Sequence, residues 1–278
     1  MNCAWDALIS LLPQDIRYDV NKQGASMLQE IRLRLGQPVE MVLGKGSLWL
    51  ERKVSAADLS FVINAASRYS PWSASTMAQG YITATGGHRV GICGGCVIQN
   101  GMMNGISQPT SLCIRVAKDF PGIGNGCGQS GSVLILGPPG SGKTTLLRDL
   151  IRRRSEIVGG SVTVVDERGE LFPVGADFTK GRRTDVLTGC SKTQGIEIAL
   201  RTMGPSVIAV DEITAKSDCE ALLQAAWCGV DLMATAHAAN IQDLQEREIY
   251  KPLAKSGLFQ SLLVLNRDKL WHMERIRA

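Results

Sequence analysis

Lys143 is the residue around which a chemistry can be written. It stands in Gly137-Pro138-Pro139-Gly140-Ser141-Gly142-Lys143-Thr144, the spacing G-x-x-x-x-G-K-[ST], between the apolar run Val133 to Leu136 and a helical pattern from Thr145 to Arg154. Gly137, Gly140 and Gly142 permit a tight turn and let the backbone approach a phosphate, so that loop amides and the following helix N-terminus converge on an anion. In that arrangement Lys143 reaches the β- and γ-phosphates and the Thr144 hydroxyl ligates Mg²⁺. A second apolar run, Val207 to Val210, ends in Asp211-Glu212. Asp211 can hold Mg²⁺ through its water shell, and Glu212 can orient or polarise an attacking water. Asp166-Glu167-Arg168-Gly169-Glu170 closes another such run and brings Glu167 forward as a further catalytic carboxylate near the γ-phosphate. His237, in Ala234-Thr235-Ala236-His237-Ala238, is read as a sensor of phosphate or water. Together these residues predict hydrolysis of ATP with Mg²⁺ as cofactor.

The elements that position them follow from pattern. From Gly131 onward, apolar runs without alternation (133–136, 161–165, 207–210, 232–235) are separated by helical patterns, which indicates a parallel sheet buried on both faces. Functional residues then gather at the carboxyl ends of the strands. The expected fold is α/β: a RecA-like P-loop ATPase domain with a mostly parallel sheet, over residues 132–278, preceded by a small α+β N-terminal domain over 1–121. Pro121 to Gly131 carries five glycines in eleven residues and no apolar period, so 122–131 is read as a glycine-rich hinge. Within the N-terminal region the pattern predicts a short amphipathic helix from Ala4 to Leu12 stopped by Pro13, and a hairpin from Glu30 to Leu43 turning at Gly36-Gln37-Pro38. It further predicts a helix from Ala56 to Tyr69 ended by Ser70-Pro71, and strands at Tyr81 to Thr85, Arg89 to Gln99 and Leu112 to Val116. Trp5, Trp49 and Trp72 are expected to anchor the core or a domain interface.

Composition narrows the class. A net charge of +4 with both signs mixed does not mark a dedicated nucleic-acid binder or a polybasic membrane protein, and no apolar run reaches membrane-spanning length. The opening residues show neither a basic stretch nor a signal-type apolar run, so a cytoplasmic location is expected. Eight scattered cysteines read as reduced thiols. Cys93-Gly94-Gly95-Cys96 has zinc spacing but no second pair to complete a site, so both thiols are expected as small buried strand residues.

These residues resemble the type II/IV secretion and pilus-retraction ATPases. Asp166 to Glu170 is similar to that superfamily's second acidic box with its first two acids exchanged and Arg168 where a proline is usual. Leu200 to Pro205 followed by Glu212-Ile213 resembles its Arg-x-x-x-Pro segment and Walker B, with Asp211 where glycine is common, and Thr235 to Ala238 resembles its His box. Over nearly the whole chain the likeness tightens to the stage III sporulation protein AA family, through Glu30 to Arg34, Gly80 to Thr83, Gly86 to Gly91, Ser111 to Arg115, Arg183 to Leu187 and Val210 to Ile213. The resemblance implies a homohexameric ATPase whose assembly depends on nucleotide, peripheral at the cytoplasmic, mother-cell face of a channel complex between mother cell and forespore. Its partners are then the integral membrane subunits of that channel. The resemblance also implies that Arg89 or Arg115, in segments matching the region where secretion ATPases fold N-terminal arginines over the nucleotide, contacts the γ-phosphate. Arg183, with Arg182 and Arg201 as further candidates, is implied to serve the nucleotide of a neighbouring protomer from a polar loop between the second and third strands. Two other readings stay open: a nucleic-acid translocase, which the modest charge and 5% aromatic content disfavour, and a nucleotide-gated scaffold with little hydrolysis.

Overall fold

The computed structural model describes residues 1–67, 80–127, 130–157, 159–176 and 178–274, apart from the side chain of Met102. Two compact units result, Met1–Asp119 with Pro173–Phe178, and Phe120–Phe172 with Thr179–Ala278. The sequence gives no cue that the six residues Pro173–Phe178 belong with the first unit. They do so because a Cβ on Gly87 would lie only 2.6 Å from Pro173 and 3.1 Å from Ala176, so a glycine (φ +78°) is what lets this segment close on the unit.

The first unit carries α1 (Trp5–Ser10), α2 (Gln14–Met27) and α3 (Ala56–Ser67) on a sheet of order β3-β2-β1-β6-β5-β4, formed by β1 (Leu28–Arg34), β2 (Pro38–Leu43), β3 (Gly46–Lys53), β4 (Tyr81–Thr83), β5 (Arg89–Gln99) and β6 (Met102–Arg115). The hairpin of β1 and β2 and the starts of α1 and α3 match the sequence pattern. Pro13, read as a stop, also stands as the residue capping α2, because proline is compatible with a helix start. Inward residues of the sheet, Ile31, Leu33, Val39, Met41, Val90, Leu112 and Ile114, pack with Leu8, Leu12, Ile16, Leu59 and Val62. Alternate positions face out, which sets Glu30, Arg115 and Arg89 side by side across β1, β6 and β5.

Two expectations fail here. Trp49 is 51% exposed on β3 rather than a core anchor, and Cys93 and Cys96 are exposed rather than buried. Cys93 faces out because Val90 and Ile92 take the inward positions of β5, and Cys96 is exposed because from Gly94 on, past register shifts at Gly94 and Gly95, the β5–β6 ribbon runs beyond the β1 pairing at 111–115 and the β4 pairing at 89–91. Trp72, and the predicted helix end at Tyr69 to Pro71, lie outside the described residues.

The second unit is built on β7 (Val133–Leu136), β8 (Val162–Asp166), β9 (Thr184–Thr188), β10 (Val207–Val210), β11 (Asp231–Ala236), β12 (Ser261–Leu265) and β13 (Trp271–Glu274), in the order β13-β12-β7-β11-β10-β8-β9. All neighbours are parallel except β12 and β13. The helices are α4 (Lys143–Ser155), α5 (Lys192–Thr202), α6 (Lys216–Trp227), α7 (Ile241–Glu246) and α8 (Lys251–Lys255). The four strands read from sequence are central and buried throughout β7, β8 and β10. The three missed ones sit at the sheet's flanks. Leucine-rich β12 has no alternation to separate it from helix, and β9 is a half-exposed edge.

The glycine-rich segment is not loose as far as Cys127. The Gly122 and Gly124 amides donate to the buried Asp149 carboxylate of α4 at 2.9 and 2.7 Å, and Trp271 Nε1 donates to Ile123 O at 3.3 Å. Glycine without a side chain lets two amides converge on one carboxylate, which apolar periodicity cannot reveal. No described helix is long and apolar enough to cross a membrane.

Candidate functional site

Parallel strands end at one edge of the sheet, and register places the chemistry there. Leu136 pairs with Ala236, and Val210 with both Ala234 and Val165, so Gly137, His237, Asp211, Thr235 and Asp166 emerge within one or two residues of the same level. Gly137 opens the loop after β7. A Cβ on it would come within 2.7 Å of Ser141 Oγ and 2.9 Å of Leu265 O, so only glycine lets the loop fold back against β12. Gly140 and Gly142 take φ of +75° and +98°, and Gly142 caps α4, whose first amides have no intrahelical acceptor.

Lys143 is 6% exposed. Its Nζ donates to Gly137 O at 2.9 Å, to Pro138 O at 3.0 Å and to His237 Nδ1 at 3.0 Å. Burial lowers its pKa, opposed by the charges of Asp211 and Glu212. Because Nδ1 accepts from an ammonium, the ring proton sits on Nε2, which donates to Glu212 Oε1 at 3.1 Å. An unbroken hydrogen-bonded path thus joins Lys143 to Glu212 through His237. Beside it, Thr144 Oγ1 donates to Asp211 Oδ2 at 2.8 Å.

Glu212 adopts φ +44°, a left-handed conformation that strains a residue with a Cβ by about 1–2 kcal/mol. Several bonds impose it. Its amide donates to Thr235 Oγ1 at 2.8 Å and Asp211 Oδ1 at 3.1 Å, Thr235 Oγ1 donates to Asp211 Oδ1 at 2.7 Å, and Ile213 N donates to Thr235 O at 2.8 Å. Buried Tyr250 donates its hydroxyl to Ile213 O at 3.1 Å. The strain turns the carboxylate from the sheet edge toward His237.

The other acidic strand end divides its work. Asp166, 2% exposed, accepts the amides of Glu170, Leu171 and Phe172 at 2.8, 3.0 and 2.9 Å, while Arg148 Nε and Nη2 donate to Leu171 O and Glu170 O. It therefore holds the turn. Burial, outweighing those amide donors, pushes its carboxyl up to about 6. The native state then binds more protons than the unfolded chain between the ordinary aspartate range and pH 6, so this group's contribution to stability is present at low pH and lost as pH rises through 6. Asp166→Asn removes a charged acceptor and should destabilise the protein at pH 7. The parent's lead over the variant should widen by about 1 kcal/mol as pH falls from 7 to 5, measured by chemical denaturation at both pH values. A constant gap would show that the carboxyl titrates normally.

Glu167 is paired with Lys192 of α5 at 2.5 Å, and Lys192, only 5% exposed, also lies 3.9 Å from Asp218. Glu167, Arg168, Lys192, Asp211 and Glu212 line one cleft. The structure thus brings Gly137, Pro138, Pro139, Gly140, Ser141, Gly142, Lys143, Thr144, Thr145, Asp211, Glu212, Glu167 and His237 to one sheet edge.

It does not bring Arg89 and Arg115 into that unit. They are cross-strand partners in the first, Arg89 stacking 3.9 Å over Tyr81 and Arg115 Nε 3.4 Å from Glu30. The loop carrying Arg183 is not free to project, since Arg183 Nη1 donates to Ile157 O at 2.6 Å, Arg182 N to Glu156 at 3.0 Å, and Thr184 onward is strand β9. Arg201 pairs with Glu197 on the surface of α5. Residues that pattern reading passed over are Tyr250, Arg148 and Lys192; their polar partners lie 22 or more residues away, and no local spacing signals them.

The donor set fits a nucleoside triphosphate and a hard cation. Ser141 Oγ is buried with no partner among the described residues, inside a glycine loop at a helix N-terminus, which suits an anion. The Thr144 hydroxyl and Asp211 carboxylate offer oxygen, the ligand type Mg²⁺ takes. Among the described residues no cluster of three or more His, Cys, Asp or Glu offers a protein-only metal cage.

Comparison with known proteins agrees with this geometry. The X-ray structure of the Legionella pneumophila ATPase DotB superposes with a TM-score of 0.58 at 18% identity, covering 95% of this chain and 80% of that one. The pilus retraction motor PilT with bound ADP superposes with a TM-score of 0.61 at 16% identity, covering 90% and 76%. At such identity the likeness shows the fold alone, an α/β architecture with a mostly parallel sheet. By sequence, the chain is 33% identical over 279 residues to stage III sporulation protein AA of Bacillus subtilis, covering 94% of this chain and 91% of the relative, and 26% identical to an uncharacterized protein, ycf45, of Porphyra purpurea over 86% of this chain and 41% of that one. The profile described as "Sporulation stage III, protein AA" matches residues 6–274, and with that span the chain belongs to the stage III sporulation protein AA family.

Proposed function

We propose that this chain is a Mg²⁺-dependent ATPase that works as a ring at the cytoplasmic face of a sporulation channel. The observation that carries the reading is the path Lys143–His237–Glu212 beside the pair Thr144–Asp211, because it couples a phosphate-binding cation to a water-orienting carboxylate. Thr144 and, through water, Asp211 would hold Mg²⁺, which would supply positive charge against the phosphate oxygens. The glycine loop amides and Lys143 bind the phosphates and orient them. Glu212 accepts a hydrogen bond from the attacking water and draws its proton, while His237 reports through Lys143 whether a γ-phosphate is in place. Purified protein should release phosphate slowly from Mg-ATP and stop when Mg²⁺ is chelated. Absence of both turnover and nucleotide affinity would remove the reading, and binding without turnover would instead favour a nucleotide-gated scaffold.

The name of the Bacillus subtilis relative supports a role in sporulation, and the fold shared with DotB and PilT supports a secretion-type motor. On that reading the partners are integral membrane subunits of the mother cell to forespore channel. Arg89 or Arg115 is proposed to reach the γ-phosphate from the N-terminal unit; unchanged turnover and affinity on Arg→Ala at each site would remove that role.

Ring assembly supplies another test. A nucleotide at the sheet edge leaves one side open, and ring ATPases close it with an arginine from the neighbour. Arg183 uses one N–H on Ile157 O and keeps others of its five for a partner. Because nucleotide is part of such a contact, sedimentation should give monomer without nucleotide and hexamer with Mg-ATP in Glu212→Gln protein. Arg183→Ala alone should lose turnover and regain part of it when mixed with Glu212→Gln protein, whose intact Arg183 serves the neighbour. A monomer at high concentration with saturating Mg-ATP would rule the ring out.

A further inference from the structure

Arg168 is a cleft residue to which the mechanism so far gives no task. It sits in the turn after β8, where Gly169 takes φ +64° and the two ends are fixed by Asp166 and Arg148. Glu167, next to it, is engaged by Lys192. A turn held this firmly presents Arg168 toward the neighbouring strand end, and its Nη1 lies 3.4 Å from Glu212 Oε2. The other oxygen of the same carboxylate accepts from His237 Nε2. Donors from two different strand ends therefore address the two oxygens of Glu212, while its backbone is locked at φ +44°. With backbone and both oxygens constrained, the plane of the carboxylate is set.

The pair is not there for stability. Arg168 is 52% and Glu212 34% exposed, and ion pairs of that kind contribute little because water screens them. What a guanidinium at this place does supply is direction. An aliphatic side chain would leave Glu212 anchored on His237 alone and free to swing about that single bond.

We infer that Arg168 is a positioning residue for hydrolysis, holding Glu212 so that an unshared electron pair faces the attacking water. The inference rests on the ATPase reading above. It assigns Arg168 no contact with the phosphates, so nucleotide affinity should not depend on it.

The experiment compares the full-length parent with Arg168→Gln, Arg168→Lys, Glu212→Gln and the Arg168→Gln/Glu212→Gln double variant. Single-turnover phosphate release and the Kd for a fluorescent ATP analogue are measured for each, and the crystal structure of Arg168→Gln is determined. Arg168→Gln should slow release by about 10- to 50-fold with Kd changed less than about twofold, the split expected for a group that acts on the chemical step alone. Arg168→Lys should recover much of the rate, since it restores the charge without the planar fork. The double variant should be no slower than Glu212→Gln, because Arg168 acts through Glu212. In the Arg168→Gln crystal structure the Glu212 carboxylate should be rotated while the Glu212 backbone stays in place. The inference is overturned if Arg168→Gln releases phosphate at the parent rate, if Kd rises in step with the loss of rate, or if the loss persists in the Glu212→Gln background. A parent that hydrolyses nothing defeats the ATPase reading instead. In that case the crystal structure still decides the positioning role, and an unmoved Glu212 carboxylate would end it.

Discussion

Lys143→Ala should abolish tight nucleotide binding. The ammonium is seated inside the glycine-rich loop, and each charge-assisted hydrogen bond it makes to a phosphate oxygen contributes about 1.5–3 kcal/mol. Two such bonds correspond to a loss of roughly 10²- to 10⁴-fold in affinity. Folding should survive. Gly137 O and Pro138 O, the carbonyls Lys143 now satisfies, stand at a loop whose Pro139 and Gly140 are exposed, so water can replace the lost donor. Titration with a fluorescent ATP analogue, beside a thermal melt, separates the two effects. Affinity retained within threefold in a folded Lys143→Ala protein would mean that the loop does not bind the phosphates through this residue.

Glu212→Gln should show the opposite pattern. The amide fits the same space and keeps an oxygen for His237 Nε2, so the strained backbone and the path to Lys143 stay intact. What disappears is a base able to draw a proton from water, a loss of about 10²- to 10⁴-fold in turnover with binding changed little. The comparison is sharp because the two residues are joined through one imidazole: one variant loses binding, the other only the chemical step. If Glu212→Gln hydrolyses ATP at the parent rate, Glu212 does not position the water, and the positioning role of Arg168 falls with it.

The chemistry-bearing residues were legible because phosphate binding imposes a contiguous local pattern. Gly137, Gly140 and Gly142 must follow a strand and precede a helix in one short stretch, and the buried strands β7, β8, β10 and β11 announce themselves as unbroken apolar runs. Asp211-Glu212 and His237 could be placed near the loop since parallel strands carry their ends to one edge.

What only the tertiary structure decided is everything set by register and by partners distant in sequence. Lys143 and His237 are 94 residues apart, Thr144 and Asp211 67, Ile213 and Tyr250 37, and each pair forms one hydrogen bond. Asp166 and Glu167 are adjacent and equally acidic, yet one is buried to hold a turn and the other is paired with Lys192 at the cleft, a difference that the end of the buried strand and the packing of the following turn impose. The same holds for Cys96, whose exposure follows from where β1 and β4 stop pairing rather than from its own residue type. Local sequence sets which groups are available, because backbone turns and strand burial are short-range demands. The direction in which each carboxylate, imidazole and guanidinium points is fixed only when strands from across the chain come into register and their side chains compete for the same few donors and acceptors.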